Sequence, residues 1–400
     1  VSALLKRFVV VLFLVSLGVA VSLGLYAVHI HQPAPDQSAL EAAAQQRGKK
    51  PPQAPRTETI TLTAAGDCLM HNTQIWSGLQ ADGSYSFPTF FPEVKELIEQ
   101  GDYSSTCLEA PLAGSAGGYT GYPRFNSPDA VVRDFKEAGF DLIVTAHNHT
   151  MDRGYQGALR TLDVLQQSGL DTVGTYRNEE ERRHFVVKDI RGVKVGYLAY
   201  SYSTNGIPVP RDCPWFFNFL DRETILSDIS TLRPQVDVLL VVLHWGVEYN
   251  PAPTQEQRFL AREILEAGAD AILGSHPHVI QPMEVINIDG QDKFVIYSMG
   301  NFISHQIGLE RNSGIVLKLR FTRDFANGNT ILEEASYTPT YSHSYYHNGH
   351  RYFRVVPVER TMEKIKSGQE PFLGQGDLPV LEQVLRQTRQ RLGSSFYRCE

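Results

Sequence analysis

The chain has 400 residues, 42% hydrophobic and 20% charged, with 32 Gly, 22 Pro and a formal net charge of −7. These are the proportions of an ordinary globular protein, long enough for one large α/β domain with additions or for two to three smaller domains. The acidic balance and the lack of any zinc-finger, helix-turn-helix or RNA-recognition signature argue against nucleic acid as a partner, while a local or metal-based positive site stays open.

The first element is apolar. In "VSALLKRFVVVLFLVSLGVAVSLGLYAVHIHQP", Lys6 and Arg7 precede 21 uncharged residues, Phe8 to Val28. As a helix that stretch would cross a hydrocarbon core of about 30 Å. A cleaved signal peptide usually has a shorter apolar region, about 7–15 residues, and a small-x-small cleavage site, which "VAVS" matches poorly. Residues 1–31 are therefore expected to be an uncleaved signal anchor. The basic pair would stay in the cytoplasm, leaving a single-pass protein of the cell membrane with the rest of the chain outside. Residues 32–57, rich in Ala, Gln and Pro, read as a flexible stalk.

From Thr59 the pattern becomes strand, loop, helix, repeated. "TITLTAAGD" is a strand ending in a polar turn. "FPEVKELIEQGDYSSTCLEAPL" reads as a helix and a short strand ending near Glu109. In "SPDAVVRDFKEAGFDLIVTAHNHTMD", Ser127 and Pro128 open a helix, Gly139 closes it and a buried strand follows. "YQGALRTLDVLQQSGLDTVGT" repeats that grammar. "FVVKDIRGVKVGYLAYS" reads as a hairpin turning at Arg191-Gly192. "VDVLLVVLHWG" and "TQEQRFLAREILEAGADAILGSHPH" give two more strands around a helix, and "KFVIYSMGNFIS" another strand and turn. Such alternation argues for a layered α/β architecture. "GIVLKLRFTRD" and "ILEEASYTPTYSHSYYHNGHRYFRVVPVE" are β-rich and polar, an antiparallel completion of the same domain. The main domain is expected over 58–360, followed by a C-terminal helical tail over 361–400.

In open α/β sheets the working site lies beyond the carboxyl ends of the strands. Five such ends carry His, Asp, Glu or Asn: "GDCLMH" (Asp67, His71), "CLE" (Glu109), "AHNHTMD" (His147, Asn148, His149, Asp152), "LHWGVEY" (His244, Glu248) and "GSHPHVIQPME" (His276, His278, Glu284). Singly these are unremarkable. Asp67 beside Gly66 reads as a turn, Asn148 as a helix cap and His244 as a packing residue. Jointly, five of the 13 histidines stand at strand ends beside two acids and an amide. His, carboxylate and amide ligands without thiolates suit Mn, Fe or Zn, and the number of ligands exceeds the needs of one ion. Two ions bridged by a carboxylate is the economical reading, an arrangement familiar in displacement at phosphorus. His147, Asp152, Glu248 and Glu284 are expected as supporting or substrate-facing groups. His343, His347 and His350 fall outside this pattern and read as solvent-facing. Cys68, Cys107, Cys213 and Cys399 form no CxxC pair, which excludes a zinc ribbon.

The order Asp, His, acid, Asn-His, His, His-x-His resembles the ligand order of calcineurin-like metallophosphoesterases. More closely, the chain resembles the CapA family of bacterial capsule and poly-γ-glutamate synthesis. The stretches that carry the likeness are "AAGDCLMH", "LEAPL", "RFNSPDAV", "EAGFDLIVTAHNHTMDRGYQG", "LHWGVEYNPAPTQEQ", "GADAILGSHPHVIQPMEV" and "IYSMGNFI", covering roughly residues 59–305. The resemblance implies a layered metallophosphoesterase-like sandwich of mixed sheets flanked by helices. It also implies two divalent metal ions, with Asp67, His71 and His278 on one, Asn148, His244 and His276 on the other, and Glu109 as the bridge. His149 takes the place of the catalytic or phosphate-contacting histidine. The chain departs from the family at Cys107 and His147, where Asn is common, and Asp67-x-x-x-His71 replaces the superfamily's Asp-x-His. Cys68 and Cys107, on neighbouring strands, are open to a disulfide or to two free thiols. The implied function is extracytoplasmic, in capsule polymer synthesis. It is either hydrolysis of a phosphoester or related bond, or non-catalytic binding or export of an anionic polymer beside membrane polyglutamate synthase subunits.

Overall fold

The first strand shows the plan of the molecule. Along β1 (Thr57–Cys68), Ile60, Leu62 and Ala64 pack to one side and Ala65 and Cys68 to the other, all buried. A strand covered on both faces belongs inside a layered fold. The computed structural model describes residues 56–393 and Phe396. The expected anchor (1–31) and nearly all of the expected stalk lie outside the described residues. Among the described residues no helix is long and apolar enough to cross a membrane.

After β1 come α1 (Asn72–Ser77), α2 (Lys95–Ile98), β2 (Tyr103–Leu108), α3 (Ala130–Ala138), β3 (Leu142–Val144), α4 (Gly154–Gln167) and β4 (Asp171–Val173). Next are α5 (Glu179–Arg183), β5 (Val186–Ile190), β6 (Val193–Ser201), α6 (Arg222–Leu232), β7 (Val238–His244), α7 (Gln255–Glu266), β8 (Ala271–Ser275), β9 (Met283–Ile288) and β10 (Gln291–Ile296). The chain then forms β11 (Asn301–Ile303), β12 (Ser313–Asp324), β13 (Thr330–His347), β14 (His350–Pro357), α8 (Val358–Lys366) and α9 (Leu378–Leu392).

The strands form two mixed sheets. One has the order β14-β13-β12-β1-β2-β3-β4, with β11 added beside the end of β1; the other is β5-β6-β7-β8-β10-β9. Strands β1 to β4 run parallel, as do β6, β7, β8 and β10, because helices return the chain between most of them. The sheets face each other across Ile60, Leu62, Tyr197, Leu240, Leu273, Ile296 and Leu317. Aromatic residues such as Phe91, Phe135 and Phe302 cover the outside of the first sheet, and Ile225, Ile229 and Ile264 cover the second. Each fully buried side chain of this kind contributes about 1.5–3 kcal/mol. The architecture is an α/β sandwich of two mixed sheets flanked by helices.

The hairpin turns at Arg191 (φ 53°) and Gly192 (φ 91°), the left-handed pair that matches strand twist. Helix α3 ends at Gly139, whose φ of 101° a side chain would resist. Helices α8 and α9 pack on each other and on Tyr341 of β13. Two expectations change, and one open reading closes. Strand β9 occupies a stretch read only as a strand-end loop. His343 is buried, accepting from Arg354 Nε at 3.1 Å and stacked on Tyr345, and His350 Nε2 donates to Ser77 O at 2.8 Å; of the three histidines only His347 faces solvent. Cys68 and Cys107 are free thiols. Cys107 pairs in register with Asp67, one residue from Cys68, so the two sulfurs lie on opposite faces of the sheet and cannot meet.

Candidate metal centre

Five strands end at one place, and the residues just past their carboxyl ends fill it. Strand β1 slips register against β2 between Ala64 and Asp67, an irregularity that re-aims the aspartate. Its carboxylate is fully buried. Oδ2 accepts the His276 backbone N–H at 3.0 Å, and the Cys107 thiol and Ser275 hydroxyl add hydrogen bonds to the same carboxylate. Glu109, the first residue after β2, sends Oε1 to 3.6 Å from His244 Nε2 and Oε2 to 3.8 Å from His278 Nδ1. His278 Nδ1 is 3.9 Å from Asp67 Oδ2. From the loop after β3, Asn148 Oδ1 comes within 2.9 Å of His244 Nε2, whose ring is steadied through Nδ1 by Ser275 Oγ at 2.9 Å.

Two groups of three potential ligands result: Asp67, Cys107 and His244, and Glu109, His276 and His278, each with its donor atoms within 4.8 Å of one another. With Asn148, these residues are at most 3% exposed. Donor atoms held 2.0–2.2 Å from one ion stand about 3.0 Å apart at right angles and about 3.5 Å at the tetrahedral angle. The spacings of 2.9 Å and 3.6 Å around His244 Nε2 match both. Asp67 Oδ1, both Glu109 oxygens and His276 Nδ1 are buried without any hydrogen-bond partner. Buried polar atoms are rarely left so, and divalent cations would satisfy all four. The donor set therefore fits divalent metal ions.

The electrostatics agree. Burial, then the Glu109 charge, lifts Asp67 well above the usual carboxylate range, and burial pushes Glu109 up to about 8. Burial, then neighbouring imidazoles, holds His276 down at about 2 and His278 at about 3, with His244 far below its ordinary value. These three histidines are neutral, the form that ligates, so none of them offsets the two acids; the His149 charge alone pulls Glu109 part of the way back.

The imidazole pair His276 and His278 sits on an unusual turn. His276 has φ 94° and His278 φ 60°, left-handed values that cost a non-glycine residue about 1–3 kcal/mol each. The turn is held by the Asp67 acceptor at one end and by Tyr249 N–H donating to Pro277 O at 2.8 Å. His278 Nδ1–H donates to Asn301 Oδ1 at 3.0 Å, which fixes the imidazole nitrogen that keeps a free lone pair. The Asn301 amide in turn donates to Ser304 Oγ, Gln306 Oε1 and Arg311 O, tying the 304–311 loop to that ring.

His149 stands beside the clusters. Its Nδ1–H donates to Asp152 Oδ2 at 2.8 Å, and the same oxygen accepts Phe125 N–H at 2.7 Å. Burial lowers its proton affinity, but the Asp152 hydrogen bond and the charges of Glu109, Asp152 and Glu248 outweigh that and raise it above the ordinary imidazole value. His147 is buried behind His244, ring centroids 6.2 Å apart. Glu248 is exposed, close enough for its charge to act on Glu109 and His149.

Two expected residues fall outside both ligand groups, although His71 is close enough for its charge to act on His278. The chain leaves the sheet at Cys68, so His71 becomes the N-cap of α1. There its Nδ1 accepts His305 N–H at 3.3 Å and its ring meets Phe125 edge-on; it belongs to neither ligand group. Glu284 lies on β9, whose alternation turns it with Ile286 and Ile288 to the outer face, where it pairs with Arg258 at 2.6 Å. Sequence reasoning missed Cys107 as part of the centre, along with Ser275, Asn301 and the mouth. There Tyr202 lies 4.5 Å from the His276 ring, Tyr249 lies 5.9 Å from His278, and the Arg311 guanidinium rests 3.6 Å over Tyr249. Polar Ser275 and Asn301 inside apolar strand runs were the available signal.

Fold and site together define an α/β sandwich with a buried centre of carboxylates, imidazoles, an amide and a thiol at the carboxyl ends of both sheets. The chain belongs to the bacterial capsule synthesis protein family PGA_cap, whose model matches residues 61–306. It is 29% identical over 287 residues to the capsule biosynthesis protein CapA of Bacillus anthracis, covering 69% of this chain and 66% of that relative. It is 34% identical over 177 residues to the PGA biosynthesis protein CapA of Bacillus subtilis, covering 44% of this chain and 45% of that relative. The chain thus spans just under two thirds of the first relative's length and under half of the second's. Similar solved structures include a 5'-nucleotidase precursor from Thermus thermophilus (14% identity, 83% of this chain and 59% of that one, TM-score 0.43) and a phosphatase from Mycoplasma pneumoniae (13%, 71% and 94%, TM-score 0.40).

Proposed function

We propose that this protein is a metal-dependent hydrolase of capsule polymer synthesis, acting outside the cytoplasm on a phosphoester or a related bond, tethered by residues 1–31 and working beside membrane synthase subunits. The observation that carries the reading is the set of buried, partnerless donor atoms on Asp67, Glu109 and His276 gathered with His244, His278 and Asn148. Divalent ions there would polarise the oxygen of the bond under attack and offset the charge that develops on it.

The chain's own residues supply the rest. Asp152 holds Nδ1 of His149, leaves Nε2 as the proton-delivering nitrogen and keeps the ring protonated to higher pH, which suits protonation of a leaving oxygen. Phe125 packs edge-on against that ring at 4.7 Å and limits its rotation. Arg311 and Tyr249 offer a cationic, planar rim for an anionic substrate.

The test is the purified chain with Mn²⁺ or Zn²⁺ on an aryl phosphodiester and a panel of related esters. Turnover that His149→Ala abolishes while metal content is kept supports the hydrolase. Full metal loading with no turnover on any substrate overturns it and leaves a metal-dependent polymer-binding subunit.

A further inference from the structure

Sequence reasoning assembled the centre from oxygen and nitrogen donors, yet a sulfur lies among them. Cys107 stands directly opposite Asp67 on the neighbouring parallel strand, so both side chains project to the same face, between the sheets. Its Sγ, the Asp67 carboxylate and an imidazole nitrogen of His244 lie within 4.8 Å of one another, and Asn148 Oδ1 is 2.9 Å from His244 Nε2. Three donors of three types thus lie within reach of one ion, with the Asn148 amide oxygen beside the same imidazole. Asp67 Oδ1, fully buried there, has no partner. Cys107 is 3% exposed, so contact with solvent does not explain a thiol at this position, and its polar surroundings are the Asp67 carboxylate and the His244 imidazole.

We infer that Cys107 is a metal ligand and that its sulfur tilts the centre towards zinc or ferrous iron and away from manganese or magnesium. This rests on the reading of the cluster as a metal centre. On binding, the S–H bond that serves Asp67 breaks, a sulfur–metal bond forms and the proton leaves to solvent, which also frees the carboxylate to ligate. Thiolate is a soft donor, whereas carboxylate and amide oxygens alone favour the harder ions. Cys68, one residue out of register and on the other face of the sheet, takes no part.

The experiment uses the full chain, stripped with chelator and titrated with Co²⁺. The wild type is expected to develop a near-ultraviolet sulfur-to-cobalt charge-transfer band that saturates with bound cobalt. Cys68→Ser should keep the band. Cys107→Ser should lose it while still binding cobalt through the remaining donors. In competition, Cys107→Ser should lower the preference for Zn²⁺ over Mn²⁺ by on the order of tenfold or more. Cobalt bound to the wild type without the band overturns Cys107 ligation and leaves the metal centre standing, as does a band that survives in Cys107→Ser. No cobalt bound to the wild type overturns both readings. If Cys107→Ser fails to fold, the band in wild type and in Cys68→Ser, and its loss when Asn replaces Cys107, decide the matter.

Discussion

Glu109→Gln separates the two tasks of that carboxyl. In the metal-free chain, burial raises it from an ordinary 4.5 to about 8, so the folded state holds a proton that the unfolded state gives up. Stability from this group is full below about pH 4.5 and is lost as the pH climbs to about 8. The rise corresponds to on the order of 5 kcal/mol in all, about 3 kcal/mol of it spent by pH 7. The imidazoles run the other way. His276 and His278 are held at about 2 and 3, so stability is lost as the pH falls below about 6.5 and the unfolded chain takes up protons that the folded chain refuses. Below pH 6.5 the two imidazoles lose more on acidification than the Glu109 carboxyl gains, so the metal-free protein should melt highest at about pH 6.5. At roughly 2 °C per kcal/mol for a domain of this size, loss of the Glu109 contribution lowers Tm by about 3 °C between pH 6.5 and pH 8. Calorimetry in chelator should show this alkaline limb in the wild type and a shallower one in Glu109→Gln, with Asp67 supplying what remains. Metal at a hundredfold excess over Kd should return about 2.7 kcal/mol to the wild type and much less to the variant. Superimposable alkaline limbs, or an undiminished metal-induced rise in Glu109→Gln, would refute the reasoning.

Since φ of 94° at His276 suits glycine, His276→Gly should be more stable than His276→Ala by about 1 kcal/mol in chelator, although both weaken metal binding; equal melting temperatures would contradict the strain. Asp152→Asn removes the acceptor that raises His149, so the His149 NMR titration in the metal-free chain should move down; an unmoved midpoint would exclude Asp152 as the cause. Arg311 rests on Tyr249 with no carboxylate partner among the described residues, so Arg311→Ala should raise KM for an anionic substrate several-fold and leave kcat nearly unchanged. A fall in kcat alone would place Arg311 in the chemistry rather than at the rim.

What the sequence made legible is what stays local. An apolar run of strand length followed by a polar residue marks a strand end wherever it occurs, and such ends brought Asp67, Glu109, Asn148, His244, His276 and His278 to one point. What escaped depends on pairings between distant segments. Cys107 enters the centre only through its register with Asp67, and register is not written in either strand alone. Glu284 was read as a loop acid because β9 was not foreseen; once β9 is a strand, alternation alone turns that side chain away from the centre. His71 follows the same logic in reverse: a helix begins where a ligand was expected, with His71 as its N-cap residue and the ring turned to the His305 N–H.

Two glycines near the strand ends, Gly66 and Gly274, show why the centre is so closely packed. Gly66 and Gly274 are not in left-handed conformations; each lies inside a strand, one residue before Asp67 and two before His276. A Cβ on Gly66 would stand 1.9 Å from Gly300 O, and one on Gly274 would stand 1.9 Å from Tyr297 O. Both obstacles are backbone, which no rotamer change relieves. The missing side chains let the segment from Tyr297 to Gly300, which leads from β10 into β11, run hard against both sheets where the ligands emerge. Asp67 N–H then donates to Gly300 O at 3.1 Å, and Met299 N–H to Gly274 O at 3.1 Å. One short connection thus sets how far Asp67 and the His276 turn project, and it ends on Asn301, the residue that orients His278. Side chains from opposite sheets are held to ångström spacing by backbone contact, and that closeness leaves Asp67 Oδ1, both Glu109 oxygens and His276 Nδ1 buried without a hydrogen-bond partner.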